Sequence, residues 1–449
     1  MYRALMVLVC MAFVISCEPS TFIGLEITVV PGNNSARPEE DRDYNSETRN
    51  VLLLYSAGFN SISSYLSDDI KDLMTGEIPS MGRMSDVLLI YSHLPEKGGA
   101  YKEDTSPVLL RVYKDLQDNV VRDTLVVYPK GVRSATPGQL NQVLTYVRDN
   151  YPATSYGMIF SSHATGYLPS GYYTNPRDYI YTPTASVCDT ERGSAFGAPV
   201  GVPYVEPEHD PSLPMVKSVG QDQVGVSGSY LSYEIQIEDF ARALPMYMDY
   251  ILFDACLMGG VEVAYELSGR CGLVGFSQTE VLAEGFDYKT LVSHLLNGGT
   301  PDPEAVCDDY FQQYAVQSGI YQSATISLVD CSKMEPLAAA CADLFEKYRD
   351  NITLLTPGNV QRYYRGDYHW FYDLVDIVAK AGAADDDVQT LRQAVNECIV
   401  YKNATSGFMG SFTIRNYSGF SMYLPCNGSN ELDKYYRTLR WNIATRLVK

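Results

Sequence analysis

From residue 50 onward, continuous apolar runs alternate with periodic apolar stripes. "NVLLLYSAG" (50–58) is an unbroken apolar run that stops at glycine, which predicts a strand buried on both faces. "SISSYLSDDIKDLMTG" (61–76) sets Ile62, Tyr65, Leu66, Ile70 and Leu73 at helical spacing, with Gly76 as the stop. "SDVLLIYSHL" (85–94) repeats the strand pattern, and "PVLLRVYKD" with "DTLVVYP" reads as a hairpin. Residues 136–152 predict a helix capped by Thr136 with Pro137 at its first position, and 156–163 a third buried strand.

A segment rich in Gly, Pro, Tyr and Ser follows, from Ala164 to about Ser229. Loops of this length are uncommon inside a compact domain and tend to be functional or mobile. The alternation then resumes, with a helix over 232–245, a strand over 248–258, a helix over 259–269 and a strand over 271–278. Two further helical patterns lead to a strand over 323–330. After Cys331 helical patterns dominate, including 386–403, before a last strand over 419–425. Strands that are apolar throughout and alternate with helices predict an α/β fold: a mostly parallel sheet with helices on both faces, followed by a helical C-terminal region. The expected organisation is a leader over 1–16, a tether over 17–48, a main domain over 49–330 and a mainly helical subdomain over 331–449.

Composition changes this picture little. The chain has 449 residues, 46% of them hydrophobic, so a large core is affordable. The net charge of −20 and the lack of a basic stripe argue against nucleic-acid binding. The first residues add more. "MYRALMVLVCMAFVISC" carries Arg3 and then an apolar run too short to span a bilayer. It ends in "VISC", which resembles a bacterial lipobox, so Cys17 is expected to be lipidated and to tether an exported protein to the cell envelope, at the outer membrane or the surface. The plain alternative is an ordinary signal peptide cut near Ser16. Residues 18–48 end in Pro, Asn and charge, as a flexible tether would. The remaining eight cysteines form no CxxC pair and no zinc-type cluster, so no metal site is assigned.

Reactive groups in open α/β sheets collect beyond the carboxyl ends of the strands. Two buried strands here end in such groups: "YGMIFSSH" in His163, and "YILFDAC" in Cys256. If these strands are neighbours, thiol and imidazole face one crevice, and an imidazole favours the nucleophilic thiolate. Spacing alone fits equally well a buried Cys256 and a hydrogen-bonded core His163.

"YGMIFSSHATGYLPSG" and "YILFDACLMGGVEVAYEL" closely resemble the clostripain family of cysteine peptidases, a group with a caspase-like fold. The matching marks are Ser162, His163 and Gly166, then Asp254, Cys256 and Met258; "GFSQTEVLAEGFDYKTLV" and "YSGFSMYLP" look like family segments too. The resemblance implies an endopeptidase with Cys256 as nucleophile and His163 as acid and base. It implies an oxyanion hole formed by the backbone N–H groups of Cys256 and Ala164, the latter standing where the family usually has glycine. Asp254 is implied as the acid that binds Arg or Lys before the cut bond, assisted by Glu280 or Glu284. The family also implies self-cleavage between histidine and cysteine after a basic residue. Arg177, Arg192 and Lys217 are the basic residues of that loop, and Arg177 is preferred for its closeness to His163, although it reads equally as a surface arginine. Peptides or proteins bearing Arg or Lys are the expected substrates and a monomer the expected state. No cofactor is required; calcium, which stimulates some members, is a candidate activator. The rival reading is a surface lipoprotein that keeps the fold only to bind a protein or glycan.

Overall fold

The computed structural model describes residues 49–81, 85–96, 104–182, 201–204, 212–217, 222–226, 229–366 and 369–449. The leader, Cys17 and the tether, as well as Arg192 and His209, lie outside the described residues. Among those described, no helix is long and apolar enough to cross a membrane.

The apolar runs assemble into a nine-stranded sheet. Its centre is built from β1 (Asn50–Ala57), β2 (Asp86–His93), β5 (Ser155–Ser161), β9 (Met248–Asp254) and β10 (Cys271–Phe276). These five lie in the order β10-β9-β5-β1-β2 and pair in parallel throughout. Parallel strands need covering on both faces, and β1 is accordingly buried at every position. The hairpin β3 (Val108–Lys114) and β4 (Val120–Val127) extends one edge antiparallel. At the other edge β11 (Thr325–Asp330) pairs antiparallel with β10, and the strand Ile399–Ala404 pairs antiparallel with β11. The loop predicted between 164 and 229 contains its own small sheet, of β6 (Val202–Tyr204), β7 (Asp222–Val226) and β8 (Ser229–Tyr233).

Helices flank the sheet. α1 (Ser63–Thr75) follows β1 and buries Leu66, Asp69 and Leu73. α2 (Pro137–Asn150) starts as its sequence requires, with the Thr136 hydroxyl accepting from Gln139 N–H and Pro137 in the first turn. α3 (Ile237–Ala243), α4 (Val261–Leu267) and α7 (Met334–Thr353) continue that layer, with α2 against α3, α3 against α4 and α4 against α7. α5 (Leu291–Leu295) packs on α6 (Pro303–Ala315), which lies along β11.

Several segments differ from the sequence reading, among them the strand expected over 248–258, which stops at Asp254 and leaves Cys256 just past it. The helix expected over 232–245 spans only Ile237–Ala243, because Tyr233 still belongs to β8. The helix expected over 386–403 ends at Cys398, and the β-branched pair that follows turns the chain into the edge strand Ile399–Ala404. The closing strand is reduced to Ser421–Met422.

The chain order places a topological switch between β1 and β5: from β1 the chain adds β2 on one side, and later β5, β9 and β10 accumulate on the other. Loops leaving the carboxyl ends of β1 and β5 diverge there and open a crevice.

Candidate active site

Ser161 at the end of β5 lies in register with Asp254 at the end of β9. The two strands are therefore neighbours, and the segments carrying His163 and Cys256 leave the sheet side by side. The turn after Cys256 is tight: Leu257 adopts φ +62, an uncommon conformation for a residue with a side chain. Its N–H is fixed by Thr279 O at 2.9 Å. Gly166, at φ +62, packs the histidine loop onto this turn; a Cβ there would lie 2.5 Å from Leu257 O and 2.9 Å from the Phe371 ring. We expect Gly166→Ala to lower the melting temperature by several degrees and cut turnover with it, because left-handed strain of about 1 kcal/mol or more adds to a backbone clash. A thermal melt equal to that of the unaltered protein would remove Gly166 from this role.

Cys256 is fully buried, and its sulfur accepts a hydrogen bond from Val281 N–H at 3.0 Å. His163 is 4% exposed. Its Nε2 lies 3.1 Å from Ser61 Oγ, in the loop between β1 and α1, and its buried Nδ1 meets no partner in hydrogen-bond geometry among the described residues. Burial holds the imidazole down at about 3, while the adjacent Lys217 backbone carbonyl works the other way. The ring is thus neutral near pH 7.

Lys217 fills the buried space beside Asp254. Its side chain is wholly buried. The ammonium contacts Asp254 Oδ2, lies 3.2 Å from Asp69 Oδ2 and 3.4 Å from Ser161 Oγ. Tyr288 donates its hydroxyl proton to Asp254 Oδ2 at 2.5 Å. Burial alone would pull the lysine pKa down, but the two carboxylates beside it outweigh that and raise it. The Asp69 carboxyl is pushed up by its own burial, against the pull of Lys217.

The backbone around Lys217 is equally well placed. Ala283 N–H donates to Met215 O and Lys217 N–H to Val281 O, both at 2.9 Å, and Val216 bridges Leu282 antiparallel. Residues 215–217 therefore lie as an added strand along the loop after β10. Ala164 N–H points at Lys217 O from 3.4 Å. Ala164 is not among the residues with positive φ, so alanine costs no backbone strain where the family usually has glycine.

The remaining sequence candidates lie elsewhere. Glu280 is buried but pairs with Arg365, at 2.8 Å. Glu284 is exposed, and so is Arg177. The second acid beside Asp254 is Asp69 of α1, and the loop residue against both is Lys217. Sequence reasoning passed over Asp69, Ser61 and Tyr288. One signal was present: Asp69 shares the buried stripe of α1 with Leu66 and Leu73 at i, i+3 and i+7, where a carboxylate has no reason to be unless it is paired. His93 ends β2 but serves the core: its Nδ1 bonds Ser134 Oγ at 2.7 Å and faces Asp222 at 3.7 Å, and its ring stacks on Phe59. Asp222 in turn accepts from Ala135 N–H at 3.0 Å, tying β7 to the body.

A buried thiol and a neutral imidazole just past the ends of adjacent parallel strands, beside a buried acid, form the kind of site a cysteine peptidase of caspase-like fold requires. The chain belongs to the clostripain family, whose sequence signature matches residues 54–184 and 207–445. Among solved structures it is similar to an inactive zymogen C11 protease from Parabacteroides distasonis, at 24% identity and TM-score 0.67, over 89% of this chain and 98% of that one. It is also similar to a secreted C11 cysteine protease from Bacteroides thetaiotaomicron, at 20% identity and TM-score 0.66, over 89% and 99%. A C11 protease of that organism in complex with an irreversible peptide inhibitor gives 23% and 0.65, over 88% and 98%. No curated protein matches the chain.

Proposed function

We propose that this cysteine peptidase cleaves on the carboxyl side of Lys or Arg through a Cys256–His163 dyad, and that the chain is a precursor that cuts its own Lys217–Ser218 bond. One observation carries the reading: a basic side chain of the chain itself sits on Asp254 while its carbonyl faces Ala164 N–H. An anionic pocket attracts a cationic side chain and repels an acidic one, which favours Lys or Arg over Asp.

The chemistry follows from the groups at hand. His163 accepts the thiol proton as Cys256 Sγ attacks the carbonyl carbon. The carbonyl oxygen gains negative charge and is met by the N–H groups of Ala164 and Cys256. The tetrahedral centre collapses as the imidazolium protonates the departing amine, leaving a thioester. His163 then takes a proton from water, whose oxygen attacks the thioester, and the thiol is restored. Because the 215–217 strand occupies the same cleft, an outside peptide gains access only after the loop is cut and this strand leaves.

The "VISC" sequence and the likeness to a secreted C11 protease support export, with Cys17 as lipid anchor. Cys17→Ser should move the protein from the detergent fraction to the aqueous one; unchanged partitioning would leave a plain signal peptide.

The reading is tested with peptide reporters ending in Arg, Lys, Asp or Asn. Turnover should be confined to the basic pair. Equal turnover of the Asn reporter would reject Asp254 as the selecting acid.

A further inference from the structure

The pocket that holds Lys217 is more particular than one acid in a cleft. Its ammonium is shared by carboxylates from two different elements, Asp254 at the end of β9 and Asp69 on α1, with Ser161 as third acceptor. Three donors of one compact cation thus meet three oxygens. The two oxygens of Asp254 are not equivalent. Oδ2 receives Lys217, Tyr288 and Ser161, the last at 3.3 Å. Oδ1 is buried without a hydrogen-bond partner among the described residues. Both oxygens lie against Gly285, where an added Cβ would come closest to Oδ2 and would stand 2.5 Å from Oδ1 and 2.7 Å from the Lys217 ammonium. Gly285 holds φ +61, which keeps the backbone pressed on the pocket floor.

A guanidinium needs different surroundings. It is planar, extends roughly one bond further than an ammonium, and binds a carboxylate best through both oxygens. Here the Gly285 backbone lies against both oxygens, and the ammonium already touches Oδ2. An arginine entering on the same backbone anchorage would press into Asp254 and Gly285.

We propose that Asp69 is the second specificity-determining carboxylate of this peptidase and that, with Gly285 closing the floor, it makes the pocket select Lys over Arg. The proposal rests on the reading of Lys217 as a substrate-like occupant. The preferred substrates are extended peptides with lysine before the cut bond and an aliphatic residue preceding it, as Val216 precedes Lys217.

The test compares Val-Lys and Val-Arg peptide reporters on the full chain after its loop is cut, with active sites counted by a thiol alkylator. The unaltered enzyme should favour Lys by about tenfold or more in kcat/KM. Asp69→Asn, nearly isosteric, should lower Lys turnover about 10- to 100-fold and Arg turnover much less, so that the ratio collapses. Asp69→Glu should restore part of it. In the intact precursor, Lys217→Arg should slow loop cleavage by a similar factor. An unaltered enzyme that turns over Arg as well as Lys would overturn the inference and leave the peptidase reading standing. Equal loss of both reporters in Asp69→Asn would reduce Asp69 to a structural residue. Turnover of neither basic reporter by the unaltered chain would reject the underlying reading and the inference together.

Discussion

Cys256→Ala should yield a folded single chain with no measurable peptide hydrolysis, a loss of about 1,000-fold or more. The sulfur forms the only covalent bond to the acyl group in the proposed cycle, so nothing replaces it. Folding should survive, because the sulfur's contact with Val281 N–H at 3.0 Å is a weak one and the Cβ remains in place. His163→Ala should cost nearly as much, since nucleophile and base act as a unit. The measurement is reporter turnover beside a thermal melt. Turnover above that of a mock preparation, from a variant that melts normally, would falsify the nucleophile assignment.

Lys217→Ala should keep the chain in one piece. The substitution removes the cation from between Asp69 and Asp254, and the loss of one partner from a buried charged cluster is worth ~100-fold or more in the rate of loop cleavage. In the unaltered protein the cut should be intramolecular, because strand, carbonyl and side chain are already seated. Its progress at a given time should then be independent of protein concentration over a wide dilution series. Mass spectrometry of the fragments decides the position: an end at Lys217 is expected, whereas an end at Arg177, or normal cleavage in Lys217→Ala, would remove Lys217 from this role.

The fold was legible in the sequence where periodicity is strong. The five central strands are buried on both faces and therefore read as unbroken apolar runs. Thr136 and Pro137 announced α2 by their chemistry alone. The neighbouring placement of His163 and Cys256 was legible because each stands just past the end of an apolar strand, and those strands pair. What remained hidden was long-range pairing. Asp69 and Asp254 are 185 residues apart (254 − 69), and only the adjacency of β1, β5 and β9 brings α1 to the pocket. Closeness in sequence favoured Arg177, but residues 215–217 reach the cleft by pairing with 281–283, a contact with no local signature. Glu280 failed as a second acid for a related reason: Arg365, from a distant segment, claims it. The strand Ile399–Ala404 was missed because its apolar start simply continues the stripe of the helix before it.

The two sides of the cut are moored at unequal lengths. Downstream, Asp222 is held by Ala135, and Gln223 N–H by Phe59 O at 2.9 Å. Upstream, the last strand before residues 215–217 among the described residues, β6, ends at Tyr204. A break after Lys217 leaves the new amino terminus four residues from its mooring (222 − 218) and the new carboxyl terminus thirteen from its own (217 − 204). At about 3.5 Å per residue these leashes reach roughly 14 Å and 45 Å. The long one carries a lysine that ends in a carboxylate and still matches the pocket. Its local concentration there is on the order of millimolar whatever the dilution of the protein. If the chain cuts itself after Lys217 as proposed, the cut enzyme therefore carries its own competitive inhibitor. Activity should rise a second time when another peptidase trims the leash, a gain that no amount of washing or dialysis could reproduce.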